Sequence, residues 1–220
     1  MRILLTGKNG QVGRELNKIL TLFGEVTATG RDEMDLSNPN QIRQIMNQVK
    51  PELIINAGAY TAVDMAESEP DLAKAINSIA PKILAEEAMN QSALLIHYST
   101  DYTYSGEMTK RPYLESDSPS PKSVYGLTKL EGDRAIKQSG ASYLILKTGW
   151  VYSKNGSSFL SKILQLAKER DELRVVNDQI GTPTWCGSIS NVTGEIIKQI
   201  IEKKEGSIAQ ISSSISGMYH

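Results

Sequence analysis

Tyr125-Gly126-Leu127-Thr128-Lys129 sets a phenol and a primary amine four residues apart. On a helix these two side chains share one face. An ammonium beside a phenol stabilises the phenolate and lowers the tyrosine pKa from ~10. A tyrosine tuned in that way exchanges a proton with a carbonyl or an alcohol near neutral pH. The competing reading is a packed tyrosine with a surface lysine. A third group must orient the carbonyl oxygen, and Thr100, in Ser99-Thr100-Asp101, is the candidate for that hydrogen bond.

A second motif lies at the N-terminus, where the apolar run Ile3-Leu4-Leu5 leads into Gly7-Lys8-Asn9-Gly10-Gln11-Val12-Gly13. Its glycines have the spacing G-x-x-G-x-x-G. Glycine permits the sharp strand-to-helix turn and lets backbone N–H groups approach a dinucleotide pyrophosphate. The competing reading is an ordinary strand–turn–helix. Gly-rich loop first and Tyr–Lys pair later is the order of a nicotinamide-dependent reductase. In that setting Lys129 can also hold the nicotinamide ribose.

Further cofactor positions follow from the order of strands. The second strand candidate ends at Thr29-Gly30-Arg31, where the adenosine ribose would lie. Arg31 favours a 2′-phosphate and hence NADPH over NADH, with Asp32 beside it opposing. Asp35 and Leu36 are placed to flank the adenine. Asn56-Ala57-Gly58-Ala59 puts small residues where the backbone would pass the cofactor, and Tyr98, ending the fourth strand candidate, is a further cofactor contact.

The elements that must hold these residues alternate along the chain. Strand candidates are 3–6, 25–29, 53–57, 94–98, 143–148 and 173–176. Helix candidates are 11–22, 40–49, 72–90, 124–139, 159–170 and 189–203, with Asn38-Pro39 as a helix-start signal. Apolar strands alternating with helices predict an α/β doubly wound parallel sheet with right-handed crossovers. Residues 104–121 read as loop. Ser212 to Gly217 reads either as a frayed tail or as a strand cut short.

Composition narrows the partners. The 220 residues carry a net charge of −1, which points to neither nucleic acid nor a membrane surface. Cys186 is the single cysteine, so no intrachain disulfide is possible. No leader or membrane-spanning run is read, and a cytoplasmic protein is expected. Neither His97 nor His220 has partners at metal-ligand spacing, and His97 reads as structural.

With these residues in place, the chain resembles the extended short-chain dehydrogenase/reductases. Within them it is similar to the dTDP-4-dehydrorhamnose reductases. The resemblance rests on residues 4–13, Asn56 to Asp64, Ser99 to Tyr102, Tyr125 to Lys129 and Trp150-Val151-Tyr152. Asn177-Asp178-Gln179 and Gly181-Thr182-Pro183-Thr184 add to it. It implies reduction of dTDP-4-dehydro-β-L-rhamnose by hydride from NADPH or NADH, with Tyr125 protonating the new alkoxide. It makes Thr100, Asp101 and Trp150 substrate contacts, with Thr100 also tuning Tyr125. It makes Gln11, Val12, Gly58, Ala59 and Tyr60 cofactor contacts, and its partner is a small nucleotide sugar.

The resemblance also implies that residues 1–220 are an NAD(P)-binding Rossmann-like domain, with the C-terminal substrate part truncated and largely absent. Some family members hold Mg²⁺ at a dimer interface through glutamates. Glu15 matches one of these, but Gly187 stands where a second would be, so no metal site is expected. A homodimer stays open. So do a non-catalytic NADP-binding regulatory subunit, which the regulatory β-subunit of methionine adenosyltransferase exemplifies, a shortened and weakly active reductase, and an enzyme acting on another keto-sugar nucleotide.

Overall fold

A computed structural model describes residues 1–107, 111–154, 158–175, 177–204 and 217–218. Its centre is a parallel sheet of β1 (Arg2–Thr6), β2 (Glu25–Thr29), β3 (Leu53–Asn56), β4 (Leu94–Thr100), β5 (Ser142–Thr148) and β8 (Gly217–Met218). The strand order is β2-β1-β3-β4-β5-β8. The order reverses direction between β1 and β3, and in open α/β sheets ligands bind in the crevice at such a point.

Alternation along each strand divides the core. Leu4, Ile54, Leu95 and Ile145 face α2 (Pro39–Val49), α5 (Ala80–Asn90) and α6 (Val124–Gln138). Ile3, Leu5, Ile55, Ile96 and Leu144 face α1 (Gln11–Leu20) and α8 (Cys186–Lys204). Burying each such aliphatic side chain stabilises the fold by about 1.5–3 kcal/mol. Burial on both faces is why these strands carry continuous apolar runs.

Local signals fix several ends. Asn38 caps α2 by accepting from the amides of Asn40 and Gln41, with Pro39 in the first turn. Ser123 caps α6 through the Gly126 amide. Gly126 also lets α6 approach the 3₁₀ turn Asp101–Thr103, because a Cβ there would stand 2.2 Å from the Tyr102 carbonyl oxygen.

The structure corrects several expectations. The single helix over 72–90 is instead α4 (Pro70–Lys74), a π-helical segment Ala75–Ile79 and α5. The wider turn lets Asn77 reach the Tyr60 backbone, a contact no local pattern encodes. α3 (Val63–Ser68) and the pair β6 (Val151–Tyr152) and β7 (Thr184–Trp185) were not expected. α1 ends two residues early, and α8 begins at Cys186 rather than Ile189. Residues 173–175 form no strand; Val175 is half exposed and pairs with no strand among the described residues, while Val176 lies outside them. At the C-terminus, Gly217 and Met218 pair in parallel with Leu146 and Lys147 of β5, which is the strand reading; 212–216 and 219–220 lie outside the described residues. Among the described residues no helix is long and apolar enough to cross a membrane.

Candidate active site

A cleft of about 1280 Å³ opens above the carboxyl ends of β1, β3 and β4. Gly7, Gly10, Gln11 and Val12 form one wall, Gly58 and Ala59 the next, Tyr98, Thr100, Asp101, Tyr125 and Lys129 the floor, and Trp150 the far rim. The two motifs that are remote in sequence therefore meet at one cavity.

The glycine wall is dictated sterically. Gly7 sits at φ +71°, and a Cβ there would come 2.7 Å from Gly58. A Cβ on Gly13 would lie 2.0 Å from the Gly7 oxygen, so Gly13 lets α1 pack onto the turn rather than facing the cleft. Gly10 begins α1 without a side-chain cap, and the Gln11 side-chain oxygen is buried with no hydrogen-bond partner. The free backbone N–H groups of this uncapped helix N-terminus fit a pyrophosphate, whereas the Gln11 side-chain oxygen, an acceptor, calls for a donor instead. Arg14 and Asn9, not singled out in the sequence, also line this wall. A cation one helical turn into a glycine-rich loop was the available signal.

Arg31, Asp35, Leu36 and Tyr60 stand outside the cleft wall. The Arg31 side chain is exposed and pairs with Asp35 at 3.8 Å. Ser37 donors hold the Asp35 carboxyl below its usual pKa range. Leu36 lies against Gly58 from behind. Tyr60 is clasped through its backbone by Asn77, and its hydroxyl donates to Glu69 at 2.6 Å.

On the floor, Thr100 stands close enough to Tyr125 to counter part of the rise that burial imposes on its phenol, and the Tyr125 ring meets Tyr102 edge to face at 5.6 Å. Thr100 donates to the Asp101 carboxylate at 3.1 Å, and burial pushes the Asp101 pKa up. Lys129 is 1% exposed, which removes the surface-lysine reading.

The expected Tyr125–Lys129 coupling is corrected. The Lys129 amine donates to the Tyr98 carbonyl at 2.7 Å and lies 3.2 Å from His97 Nε2, and it makes no hydrogen bond with the phenol. Burial therefore governs both groups. It raises Tyr125 to about 12, partly opposed by Thr100, and lowers Lys129 to about 8.

Tyr98 turns its hydroxyl away from the cleft to Thr193 at 2.7 Å, while its ring forms part of the floor. Beneath it, Asp133 takes hydrogen bonds from Ser99 at 2.7 Å and Lys147 at 2.8 Å, and Lys147 also reaches Thr103 at 2.9 Å. Asp133 and Lys147 were missed in the sequence. Asp133 follows Lys129 by four residues on the same helix face, which was the signal available.

At the rim Trp150 adopts φ +46°, rare for a residue with a Cβ. Its ring lies against Gly181, and its carbonyl accepts from the Thr184 amide at 3.2 Å. The 181–184 segment is thus brought to the cleft. Glu15 pairs with Lys18 on α1. Among the described residues no cluster of three or more His, Cys, Asp or Glu is arranged to hold a metal ion.

Known proteins share this arrangement. The family model "RmlD substrate binding domain" matches residues 1–220. A dTDP-4-dehydrorhamnose reductase of Burkholderia thailandensis is 40% identical over 220 residues, which are 100% of this chain and 72% of that protein. The protein of the same name from Escherichia coli K12 is 40% identical over 224 residues, with the same shares covered. The crystal structure of a Clostridium acetobutylicum dTDP-4-dehydrorhamnose reductase superposes with a TM-score of 0.88 at 39% identity, covering 100% of this chain and 74% of that one. A Bacillus anthracis dTDP-4-dehydrorhamnose reductase in complex with NADP gives 0.83 at 34% identity, covering 100% and 73%.

Proposed function

This chain belongs to the dTDP-4-dehydrorhamnose reductase family, and from that premise we infer that it reduces the C4 keto group of dTDP-4-dehydro-β-L-rhamnose to the alcohol of dTDP-L-rhamnose, with NADPH as reductant. The observation that carries the reading is the meeting of Thr100, Tyr125 and Lys129 on the floor of the cleft whose wall is the glycine turn.

Each residue has a physical task in that reading. Gly7, Gly10, Gln11, Val12 and Gly13 shape the helix N-terminus that would hold the pyrophosphate. Gly58, Ala59 and Tyr98 bound the cofactor within the cleft, and beyond its wall Arg31 reaches toward the 2′-phosphate, Asp35 and Leu36 toward the adenine, with Tyr60 beyond Ala59. The cofactor, when bound, supplies the hydride. Thr100 donates to the substrate carbonyl oxygen, and Asp101 and Trp150 hold the sugar. Tyr125 gives its proton to the alkoxide that forms. A phenol at about 12 holds its proton until that strong base develops beside it, which suits a donor in the reductive direction. Lys129 holds the nicotinamide ribose. Residues 1–220 act as one NAD(P)-binding unit. A cytoplasmic location and a homodimer, on the family's pattern, complete the reading.

The test is NADPH oxidation, followed by absorbance, with enzymatically generated dTDP-4-dehydro-L-rhamnose. Tyr125→Phe is expected to lower kcat by about 10²–10⁴-fold while NADPH affinity stays within about twofold. Turnover by Tyr125→Phe at the wild-type rate removes Tyr125 as proton donor. No turnover by the wild-type chain refutes the reductase reading.

A further inference from the structure

Behind Lys129 runs a buried polar chain that the proposed reaction leaves without a task. It starts at the cleft wall, where the Gly58 amide donates to Thr6 Oγ1 at 3.0 Å. Thr6 lies 2.7 Å from Asn56 Oδ1, Asn56 Nδ2 lies 2.9 Å from His97 Nδ1, and His97 Nε2 lies 3.2 Å from Lys129 Nζ. Thr6, Asn56, His97 and Lys129 are each at most 1% exposed. Water does not compete for these groups, so every donor must meet an acceptor within the chain.

Two arrangements of protons compete along this chain, the first meeting that requirement fully and the second at the loss of one bond. In one, the Thr6 hydroxyl receives the Gly58 proton and gives its own to Asn56 Oδ1. The amide then turns its NH₂ to His97 Nδ1, and a neutral imidazole that accepts at Nδ1 carries its proton on Nε2. An uncharged Lys129 amine can accept that proton, whereas an ammonium cannot. Asp133 Oδ1 favours the same state. It stands 3.8 Å from Nε2 and is buried without a hydrogen-bond partner. In the other arrangement the Asn56 amide is rotated, so that its oxygen accepts from Nδ1–H and the bare Nε2 accepts from a Lys129 ammonium. The Asn56 NH₂ then faces Thr6 Oγ1, whose own proton loses its acceptor, and the charged Lys129–His97 bond offsets that loss. The two arrangements differ by one proton on Lys129.

We propose that Asn56 and His97 are positioning residues for Lys129, and that the direction in which they point sets whether its amine is charged. The inference rests on the reading of Lys129 as part of the acid/base site. It ties the charge of Lys129 to the Gly58 loop, which forms part of the cofactor wall. The charged groups acting on the pair are Asp133 on α6 and Lys147 on β5, while Tyr125 and Asp101 line the cleft floor with Lys129. Burial keeps His97 neutral, its pKa pushed well below the ordinary value, and brings the Lys129 amine down to about 8. The exchange therefore falls in mildly alkaline solution.

Nitrogen NMR of ¹⁵N-histidine-labelled protein without cofactor reads the tautomer directly. His97 and His220 are the two histidines, and His220→Gln removes the second signal. Between about pH 6 and about pH 10, His97 is expected to stay neutral while its proton passes from Nδ1 to Nε2. Lys129→Met abolishes that exchange. Asn56→Asp, whose carboxylate only accepts, holds the proton on Nδ1 throughout, and it decides the matter alone where Lys129→Met does not fold. A wild-type proton fixed on one nitrogen over the whole range overturns the proposal, as does an undiminished exchange in Asn56→Asp. Turnover enters neither readout, so a missing reductase activity counts against the proposed function alone.

Discussion

The floor of the cleft and its rim are built differently. On the floor, His97 and Lys129 are almost wholly buried, and His97 with Asn56 and Lys129 with the Tyr98 carbonyl lie within hydrogen-bond reach. The glycine wall beside it has no room for a methyl group at Gly7 or Gly13. On the rim, α7 (Phe159–Glu169) has no buried residue, and Phe159 is 63% and Ile180 91% exposed. α7 is held locally, by a capping box between Ser158 and Ser161. Atoms on the floor are placed by packing from every side, whereas those on the rim are placed mainly by caps and short pairings. Substitutions should therefore act steeply on the one and weakly on the other.

The steepest break in that contrast is Gly13→Ala, whose methyl would press on the Gly7 oxygen. Overpacking of this kind costs about 1–3 kcal/mol and displaces the turn. Urea unfolding should show that loss, and fluorescence titration should show NADPH affinity falling by more than tenfold, at least ~1.4 kcal/mol. Wild-type affinity in this variant would mean that the wall yields as easily as the rim.

Next comes the pH dependence of stability. Lys129 titrates at about 8 in the fold and at ~10.4 when unfolded. Between those values the unfolded chain holds more protons, so the Lys129 contribution makes stability rise with pH. Below about 8 both states are charged, and the full cost of burying the ammonium is present. The urea midpoint should climb between about pH 8 and about pH 10, and Lys129→Met should flatten the climb. An equal climb in both proteins would assign it to another group.

A smaller effect is expected at Arg31, exposed and already paired with Asp35. Calorimetric titration of Arg31→Ala should show NADPH binding weakened by about three- to tenfold, with NADH nearly unchanged. Equal losses for both cofactors would exclude a role at the 2′-phosphate. The smallest effect belongs to the rim. Phe159→Ser should leave the unfolding free energy within about 0.5 kcal/mol of wild type. A larger loss would show that α7 is packed more firmly than its exposure indicates.

The floor was also the more legible region. Apolar runs at Ile3–Leu5 and Leu53–Ile55, followed by small residues, are what a doubly buried parallel strand requires, and they gave the sheet and the glycine wall. The Tyr125–Lys129 spacing gave a shared helix face. It could not give the direction of the amine, because His97 and the Tyr98 carbonyl come from β4, far away in sequence. The π-helical segment was hidden for a similar reason, since Asn77 is held by the Tyr60 backbone across the fold. Residues 173–175 were over-read as strand because short apolar runs do not reveal whether a neighbouring strand is present to pair with them.

The left-handed backbone of Trp150 leaves a mark that protein engineering and natural drift would both meet. A side chain with a Cβ costs about 1–2 kcal/mol in that conformation, and glycine would relieve most of it. Screening for thermal tolerance alone should therefore enrich Gly or Asn at position 150, and those survivors should be stable proteins with a poorer grip on sugar. If Trp150 holds the sugar as proposed, its persistence through rounds of neutral change would record ligand pressure beside the packing of its ring on Gly181.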